Sequence, residues 1–216
     1  MASTARRWCQ LMSGLWLYGV SIALLVRSSL GVMPWDVLHQ GLARHLGVAL
    51  GSAVVATSGF ALLAWIPTRQ RPGVGTFANS VLVGVAVDAT LSMLAKPDIV
   101  VTQTGFAVAG ILLNALATAA YIGAGLGPGP RDGLMTGIVR RTGQPVRLVR
   151  TTIEVVLFII GWLLGGRLGI ATIAYAVAVG PLIHQLLPRL TVREPASSAA
   201  AGLLRQPIPA VTQAIE

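Results

Sequence analysis

The chain has 216 residues, of which 54% are hydrophobic and only 11% are charged, and its formal net charge is +9. This number of charges is too small to cover the surface of a water-soluble protein of this size. The composition therefore indicates a membrane protein. The excess of arginine does not indicate a nucleic-acid-binding protein, because the arginines lie in short clusters between long apolar runs. The single cysteine, Cys9, excludes an intrachain disulfide and a cysteine-based metal site.

Six apolar stretches are candidates for membrane-spanning helices, each of which needs about 20 mostly apolar residues. They lie at residues 10–27, 48–66, 74–95, 104–126, 149–166 and 168–188, and the first and fifth are short or carry a polar residue. The sequence therefore predicts an all-α, polytopic transmembrane helical bundle of about six spans. This bundle forms a single domain at residues 1–190, and a disordered cytoplasmic tail is expected at 191–216.

The basic residues predict the orientation of these spans. If the N-terminus lies in the cytoplasm, 12 of the 16 lysines and arginines fall on the cytoplasmic side. Cytoplasmic loops of membrane proteins carry an excess of such residues. We therefore expect both termini to be cytoplasmic.

The sequence repeats itself at an offset of 96 residues. Residues 30–47 match residues 126–143 at 8 of 18 positions, and a second block pairs residues 71–84 with 167–180 at the same offset. We expect two repeats of three spans, at about 11–95 and 104–188. Since three is odd, the second repeat would enter the membrane in the opposite sense. Inverted repeats of this kind place a binding site between the halves of secondary transporters.

One loop recurs in both repeats and is followed by a short predicted helix. Each helix has an aspartate in its first turn, Asp36 or Asp132, and ends at a glycine, Gly47 or Gly143. The aspartates would stabilise the helix N-termini of interfacial helices. Alternatively, the helices dip into the membrane and present their N-termini to a substrate or ion. In that case Arg131 is a candidate substrate contact, although it could equally be a topology signal or the partner of the adjacent aspartate.

Ionisable and amide side chains inside the spans are further candidates for substrate or ion binding. A charged group at the membrane centre costs about 2.5 kcal/mol or more, so Asp88 and Glu154 are candidates by default. His184 occupies the position equivalent to Asp88 in the second repeat. Asn79 and Asn114 would bind substrate or bridge helices by hydrogen bonds. The small residues on the same helix faces would alternatively serve close helix packing.

Three motifs carry a resemblance to a known family. They are Gly-Pro-Arg-Asp-Gly-Leu-Met at residues 129–135, Pro-Trp-Asp-Val-Leu at 34–38 and Gly-Val-Gly-Thr-Phe-Ala-Asn at 73–79. The chain resembles the YczE/YitT-like bacterial integral membrane proteins, particularly the YczE branch, over about residues 11–188. The resemblance implies a multi-pass protein of the bacterial inner membrane and carries no settled activity. One departure is Ala171, where the family pattern favours the glycine retained at Gly75.

Familiar catalytic and cofactor motifs are absent from the sequence. It contains no His-Glu-x-x-His pattern, cysteine pair, Walker phosphate loop, dinucleotide fingerprint or nucleophile elbow. We therefore expect no catalytic residue, cofactor or metal, and not an enzyme. The leading hypothesis is a secondary permease or exporter of a small molecule. The alternative is a non-transporting accessory protein that binds or regulates a membrane partner or forms a homo-oligomer, and a lipid-handling enzyme is a third class.

Overall fold

The computed structural model describes residues 2–192, and all regular secondary structure in this part of the chain is helical. The all-α fold predicted from the sequence is confirmed. Most of the predicted tail at 191–216 lies outside the described residues. The helices are α1 (Ala2–Ser28), α2 (Pro34–Leu46), α3 (Leu50–Leu63), α4 (Trp65–Thr68), α5 (Val74–Met93), α6 (Val100–Gly123), α7 (Pro130–Thr142), α8 (Val146–Leu163) and α9 (Ile170–Leu190).

Within the described residues, five segments are long and apolar enough to cross a membrane. They are α1, α3 continued by α4, α5, α6 and α9. The remaining expected span, at 149–166, corresponds to α8, which begins earlier and includes Arg147, Arg150 and Glu154. These charges distinguish α8 from the five apolar helices. They recur at intervals of three and four residues, so they share one face of a helix about 27 Å long.

The short helices α2 and α7 begin inside the bundle and end at its surface. Each starts with a proline, whose missing N–H is not needed at the first helical position. Each is followed by a glycine in the left-handed conformation, Gly47 or Gly143, both with φ of +67°. Met33, which precedes α2, is buried, and so is Asp36 in its first turn. The short helices predicted from the recurring loop are confirmed, including their ends.

The offset of 96 residues also relates the helices and turns of the two halves. Helices α2, α3 and α5 begin 96 residues before α7, α8 and α9, respectively. The backbone conformation follows the same rule, since the residues with positive φ in the described chain form four pairs at this offset. These pairs are Ser29 and Gly125, Gly31 and Gly127, Gly47 and Gly143, and Arg69 and Gly165.

The equivalent helices α1 and α6 pack against each other in opposite directions. Gly14 of α1 lies against Tyr121 near the end of α6. Leu25, further along α1, lies against Gly110, which comes earlier in α6. Each contact is the counterpart of the other at the offset of 96 residues. The contacts between these two helices therefore follow an approximate two-fold relation that reverses the helix direction.

Reciprocal backbone hydrogen bonds between the halves follow the same two-fold relation. The N–H of Gly75 at the start of α5 donates to the carbonyl of Leu126, at 3.0 Å. The N–H of Ala171 at the start of α9 donates to the carbonyl of Leu30, at 2.9 Å. Each half therefore satisfies backbone groups of the other, which a membrane interior requires because it offers no water.

The halves differ in how closely their outer helices pack. In the first half α3 packs against α5, and a Cβ added at Gly84 would lie only 2.6 Å from the carbonyl oxygen of Gly51. In the second half α8 lies apart from α9. A Cβ added at Gly180, the counterpart of Gly84, would have no neighbour within 4 Å. The same structural unit is therefore closed in one half and open in the other.

Candidate functional site

The gap between α8 and α9 forms a cavity of about 270 Å³, which we call the open cavity. The N-termini of α2 and α7 form its floor, and α6, α8 and α9 form its walls. Its lining residues are Met33, Pro34, Trp35, Thr118, Ile122, Arg131, Asp132, Met135, Arg150, Ile153, Glu154, Tyr175, Val179 and Ile183.

A second cavity of about 40 Å³, which we call the closed cavity, occupies the equivalent position in the first half. Nine of its eleven lining residues have their counterpart, 96 residues away, in the lining of the open cavity. Trp35 and Arg131 line both cavities and are themselves counterparts. The complete lining is Trp35, His39, Val54, Thr57, Ser58, Ala61, Asn79, Tyr121, Gly129, Pro130 and Arg131. The two cavities therefore occupy equivalent positions in the two halves, and Trp35 and Arg131 contribute to both.

Two tyrosines hold the charged residues on the floor of the open cavity. The Arg131 guanidinium lies over the Tyr18 ring, 5.0 Å from its centroid, and donates to the Tyr18 hydroxyl oxygen. The Tyr121 hydroxyl donates to Oδ2 of Asp132 at 2.6 Å. The two tyrosine rings meet edge to face, with centroids 6.0 Å apart. These contacts fix a cation and an anion side by side at the start of α7.

The wall of the open cavity carries a second pair of charges on α8. Nε of Arg150 donates to Oε1 of Glu154 at 3.0 Å, one helical turn away. Both side chains are partly exposed, with 56% of the Arg150 side chain and 36% of the Glu154 side chain accessible. An exposed pair of this kind contributes little to stability. Breaking this pair would therefore cost the fold little.

A buried polar network behind the cavity joins three spans. Asn114 of α6 is fully buried; it donates to the Ser21 hydroxyl of α1 at 2.8 Å and accepts from the Tyr175 hydroxyl of α9 at 2.8 Å. With both ends of its amide occupied within the protein, Asn114 bridges helices. This corresponds to the helix-bridging interpretation of its role in the sequence analysis.

Asp36, the counterpart of Asp132, lies outside both cavity linings and is only 1% exposed. Its Oδ1 is 2.9 Å from Nδ1 of His39, and within the described residues its Oδ2 has no hydrogen-bond partner. His39 in turn lines the closed cavity. The two equivalent aspartates thus have different partners, a histidine in the first half and a tyrosine in the second.

The remaining predicted residues, Asn79, Asp88 and His184, lie outside the open cavity. Asn79 lines the closed cavity. Asp88 lies away from both cavities, where its Oδ1 accepts the N–H of Gly51 at 2.7 Å in the first turn of α3. His184, its counterpart, is exposed and lines neither cavity. Asp88 therefore acts as an anionic partner of a helix N-terminus.

Of the predicted candidates, the open cavity brings together Arg131, Asp132 and Glu154. The sequence analysis missed the tyrosines around it. All three tyrosines of the chain lie in apolar helices and reach this region: Tyr18 and Tyr121 hold the floor, and Tyr175 lines the wall. A tyrosine inside an apolar span needs a partner for its hydroxyl, and that requirement was the available signal.

Metal ligation has no support from the described part of the chain, which contains no cluster of three or more histidine, cysteine, aspartate or glutamate residues placed to hold an ion. On the cavity floor, the hydroxyls of Tyr18 and Tyr121 are hydrogen-bonded to Arg131 and Asp132. Arg131 lies between the two cavities. The chemistry available there is hydrogen bonding and ion pairing.

Comparisons with known proteins give a family and no activity. A family model described as a family of unknown function (DUF6198) matches residues 5–188. The chain is similar to an uncharacterized protein of Haemophilus influenzae, with 35% identity over 177 residues, 82% of this chain and 81% of that protein. It is also similar to the uncharacterized membrane protein YczE of Bacillus subtilis, with 31% identity over 188 residues, 85% of this chain and 86% of that protein.

A third relative is the uncharacterized protein YyaS of Bacillus subtilis, with 25% identity over 180 residues, 81% of this chain and 89% of that protein. No solved structure matches the chain. The match to YczE confirms the resemblance carried by the three motifs. Together with the five apolar helices, it identifies a membrane protein.

Proposed function

The chain belongs to the DUF6198 family of unknown function, and we propose that it is a secondary transporter of a small molecule. The observation that carries this proposal is the pair of equivalent cavities, one of about 270 Å³ and one of about 40 Å³. When two halves share one fold, each half can adopt the conformation of the other. Such an exchange would close the open cavity and open the closed cavity, which is alternating access.

The proposal places α8 across the membrane as a sixth span. The helix is about 27 Å long, close to the thickness of the hydrocarbon core of about 30 Å. Its charged face lies toward the open cavity through Arg150 and Glu154, where water can hydrate these groups. Six spans place both termini in the cytoplasm of a bacterial inner membrane, in agreement with the distribution of arginine.

The open cavity then faces the cytoplasm. Nε2 of Gln10 donates to the carbonyls of Ala120 and Leu190, which places the start of α1 beside the ends of α6 and α9. Thr118 and Ile122, near the end of α6, line the open cavity. The cavity therefore lies toward the end of the bundle that contains the N-terminus.

Side-specific labelling tests this proposal without knowledge of the substrate. Single cysteines are introduced by Ile153→Cys in the open cavity or by its counterpart, Thr57→Cys, in the closed cavity, each in a chain carrying Cys9→Ala. The variants are reconstituted in vesicles of phosphatidylethanolamine and phosphatidylglycerol and exposed to a membrane-impermeant maleimide on one side. Reaction of the first cysteine from the cytoplasmic side and slower reaction of the second from the opposite side would support the proposal. Reaction of both from the same side would overturn it.

The accessory-protein alternative shares the fold but needs no exchange between the two states. It predicts that the cysteine at position 57 stays unreactive from both sides under every condition, while the protein remains folded. A stable complex with a second membrane protein would then favour the alternative.

A further inference from the structure

Two opposite charges stand unpaired at the centre of the protein. Arg131 and Asp132 are adjacent on the floor of the open cavity, but the hydroxyls of Tyr18 and Tyr121 are their side-chain hydrogen-bond partners. In the described part of the chain, neither forms an ion pair with another residue. On the cavity wall, by contrast, Arg150 and Glu154 of α8 form an ion pair with each other.

A charge held inside a membrane protein by neutral partners alone is costly, and a ligand of opposite charge removes part of that cost. A ligand with a single charge would satisfy one of the two floor residues and be repelled by the other. A ligand that carries both charges on neighbouring atoms would satisfy both. The floor therefore favours a zwitterion.

Arg131 is also the one charged residue, among those described, that lines both cavities. A group bound to its guanidinium can therefore stay bound while the site changes from one state to the other. The planar guanidinium matches a carboxylate through two parallel hydrogen bonds. Asp132 then provides the acceptor for an ammonium group beside that carboxylate.

The size and walls of the open cavity limit the remainder of the molecule. Its volume of about 270 Å³ corresponds to roughly nine water molecules, since each water occupies about 30 Å³ in the liquid. Met33, Met135, Ile153 and Val179 provide apolar walls. The cavity thus accommodates a small molecule with an aliphatic part.

We propose that the substrate is a small zwitterion of the α-amino acid class with an aliphatic side chain, its carboxylate bound by Arg131 and its ammonium group by Asp132. This inference rests on the proposed transport function and adds the substrate class. Leucine is a suitable probe, because two analogues of similar shape each keep one charge: 4-methylpentanoate keeps the carboxylate and 3-methylbutylamine keeps the amine.

Binding of these three probes to the purified full chain is measured by calorimetry in detergent. Leucine should bind saturably, and each analogue should bind about 10- to 100-fold more weakly, the loss expected for one charge-assisted hydrogen bond. Arg131→Gln should remove the preference for leucine over the amine, and Asp132→Asn should remove the preference over the carboxylate. These opposite changes in selectivity differ from the uniform loss that misfolding would produce.

Equal binding of leucine and either analogue to the unmodified protein would overturn the zwitterion assignment. So would variants that lose affinity for all three probes in the same proportion, or side-specific labelling that alternates while no probe binds. The last result would leave the transport proposal standing. Conversely, selective leucine binding without uptake of labelled leucine into vesicles, and without alternating labelling, would retain the binding site and refute transport.

Discussion

Replacing Gly84 with alanine should move the protein toward the state in which the closed cavity is open. A Cβ at this position would lie 2.6 Å from the Gly51 carbonyl oxygen and from a methyl group of Val55, whereas ordinary contacts begin at 3.4 Å. Helices α3 and α5 must therefore separate by about 0.8 Å, and overpacking of this kind costs about 1–3 kcal/mol. If this cost falls only on the present state, the ratio of the two states changes by about 5- to 150-fold.

The assay is the reaction rate of a cysteine introduced by Thr57→Cys, whose position lines the closed cavity and is now 8% exposed. The rate of reaction with a hydrophilic maleimide should rise by about 5- to 150-fold in the Gly84→Ala background. Gly180→Ala is the matched control, because a Cβ at this equivalent position has no neighbour within 4 Å. The control should not raise the rate, because the added Cβ meets nothing in the present state and would crowd only the exchanged state.

Two results would refute this reasoning. One is an equal rate in the Gly84→Ala and Gly180→Ala backgrounds. The other is a parallel rise for a cysteine introduced by Ile153→Cys in the open cavity, because alternation requires that this cavity does not become more accessible. A parallel rise would indicate general loosening of the bundle.

Four further variants test the packing around the site through the melting temperature in detergent. Tyr175→Phe removes one hydrogen bond to Asn114 and should cost about 0.6 kcal/mol, the average for such bonds between membrane helices, whereas Asn114→Leu removes both of its bonds and should cost at least twice as much. Trp65→Phe removes the indole N–H bond to the Pro130 carbonyl, 2.8 Å long, and should cost about 0.5–1.5 kcal/mol. Gly133→Ala should prevent accumulation of folded protein, because its Cβ would lie 1.9 Å from the Trp65 ring; a melting temperature equal to that of the unmodified chain would contradict this packing.

Local rules predicted much of the fold from the sequence. Proline at the start and glycine at the end define α2 and α7, because both residues restrict or permit specific backbone angles whatever surrounds them. Long apolar runs likewise predict spans in lipid. The start of α8 was harder to place, because Arg147 and Arg150 conflict with an apolar pattern, and Arg150 lines a cavity that only the folded bundle creates.

The candidate site was predicted in part, for a related reason. Arg131 and Asp132 belong to a recurring motif, and the structure places both on the cavity floor. Asp88 was chosen because a carboxylate in a span is costly, but its partner, the N–H of Gly51, belongs to a different helix. The cost of a charge can be inferred from the sequence around it, whereas its partner depends on how distant helices pack. The tyrosine partner of Asp132, Tyr121, depends on helix packing in the same way.

The contact of Asp88 explains why one half of the protein is closed. Its carboxylate accepts the Gly51 N–H at 2.7 Å, and Gly84 allows α5 to approach α3 at the same level. A carboxylate at a helix N-terminus stabilises the helix and its position by about 0.3–2 kcal/mol. These three residues together form a latch between α3 and α5.

The second half has only part of this latch. At the offset of 96 residues, Gly180 is retained, but Arg147 and His184 stand in place of the other glycine and the aspartate. An arginine at the N-terminus of α8 disfavours the same close approach, and a histidine does not supply the carboxylate that Asp88 provides to the N-terminus of α3. The difference in sequence therefore accounts for α8 lying apart from α9.

The double variant Arg147→Gly and His184→Asp should build the missing latch. The second half would then contain the same three residues as the first, and the state with α8 against α9 should gain stability by a factor of about 2 to 30 in population. The cysteine introduced by Ile153→Cys should react more slowly and that introduced by Thr57→Cys more rapidly. The single variant His184→Asp is the control, because Arg147 still disfavours the approach. If the double variant changes neither rate while its melting temperature is unchanged, the latch does not govern the two states, and the difference between the halves must come from elsewhere in the bundle.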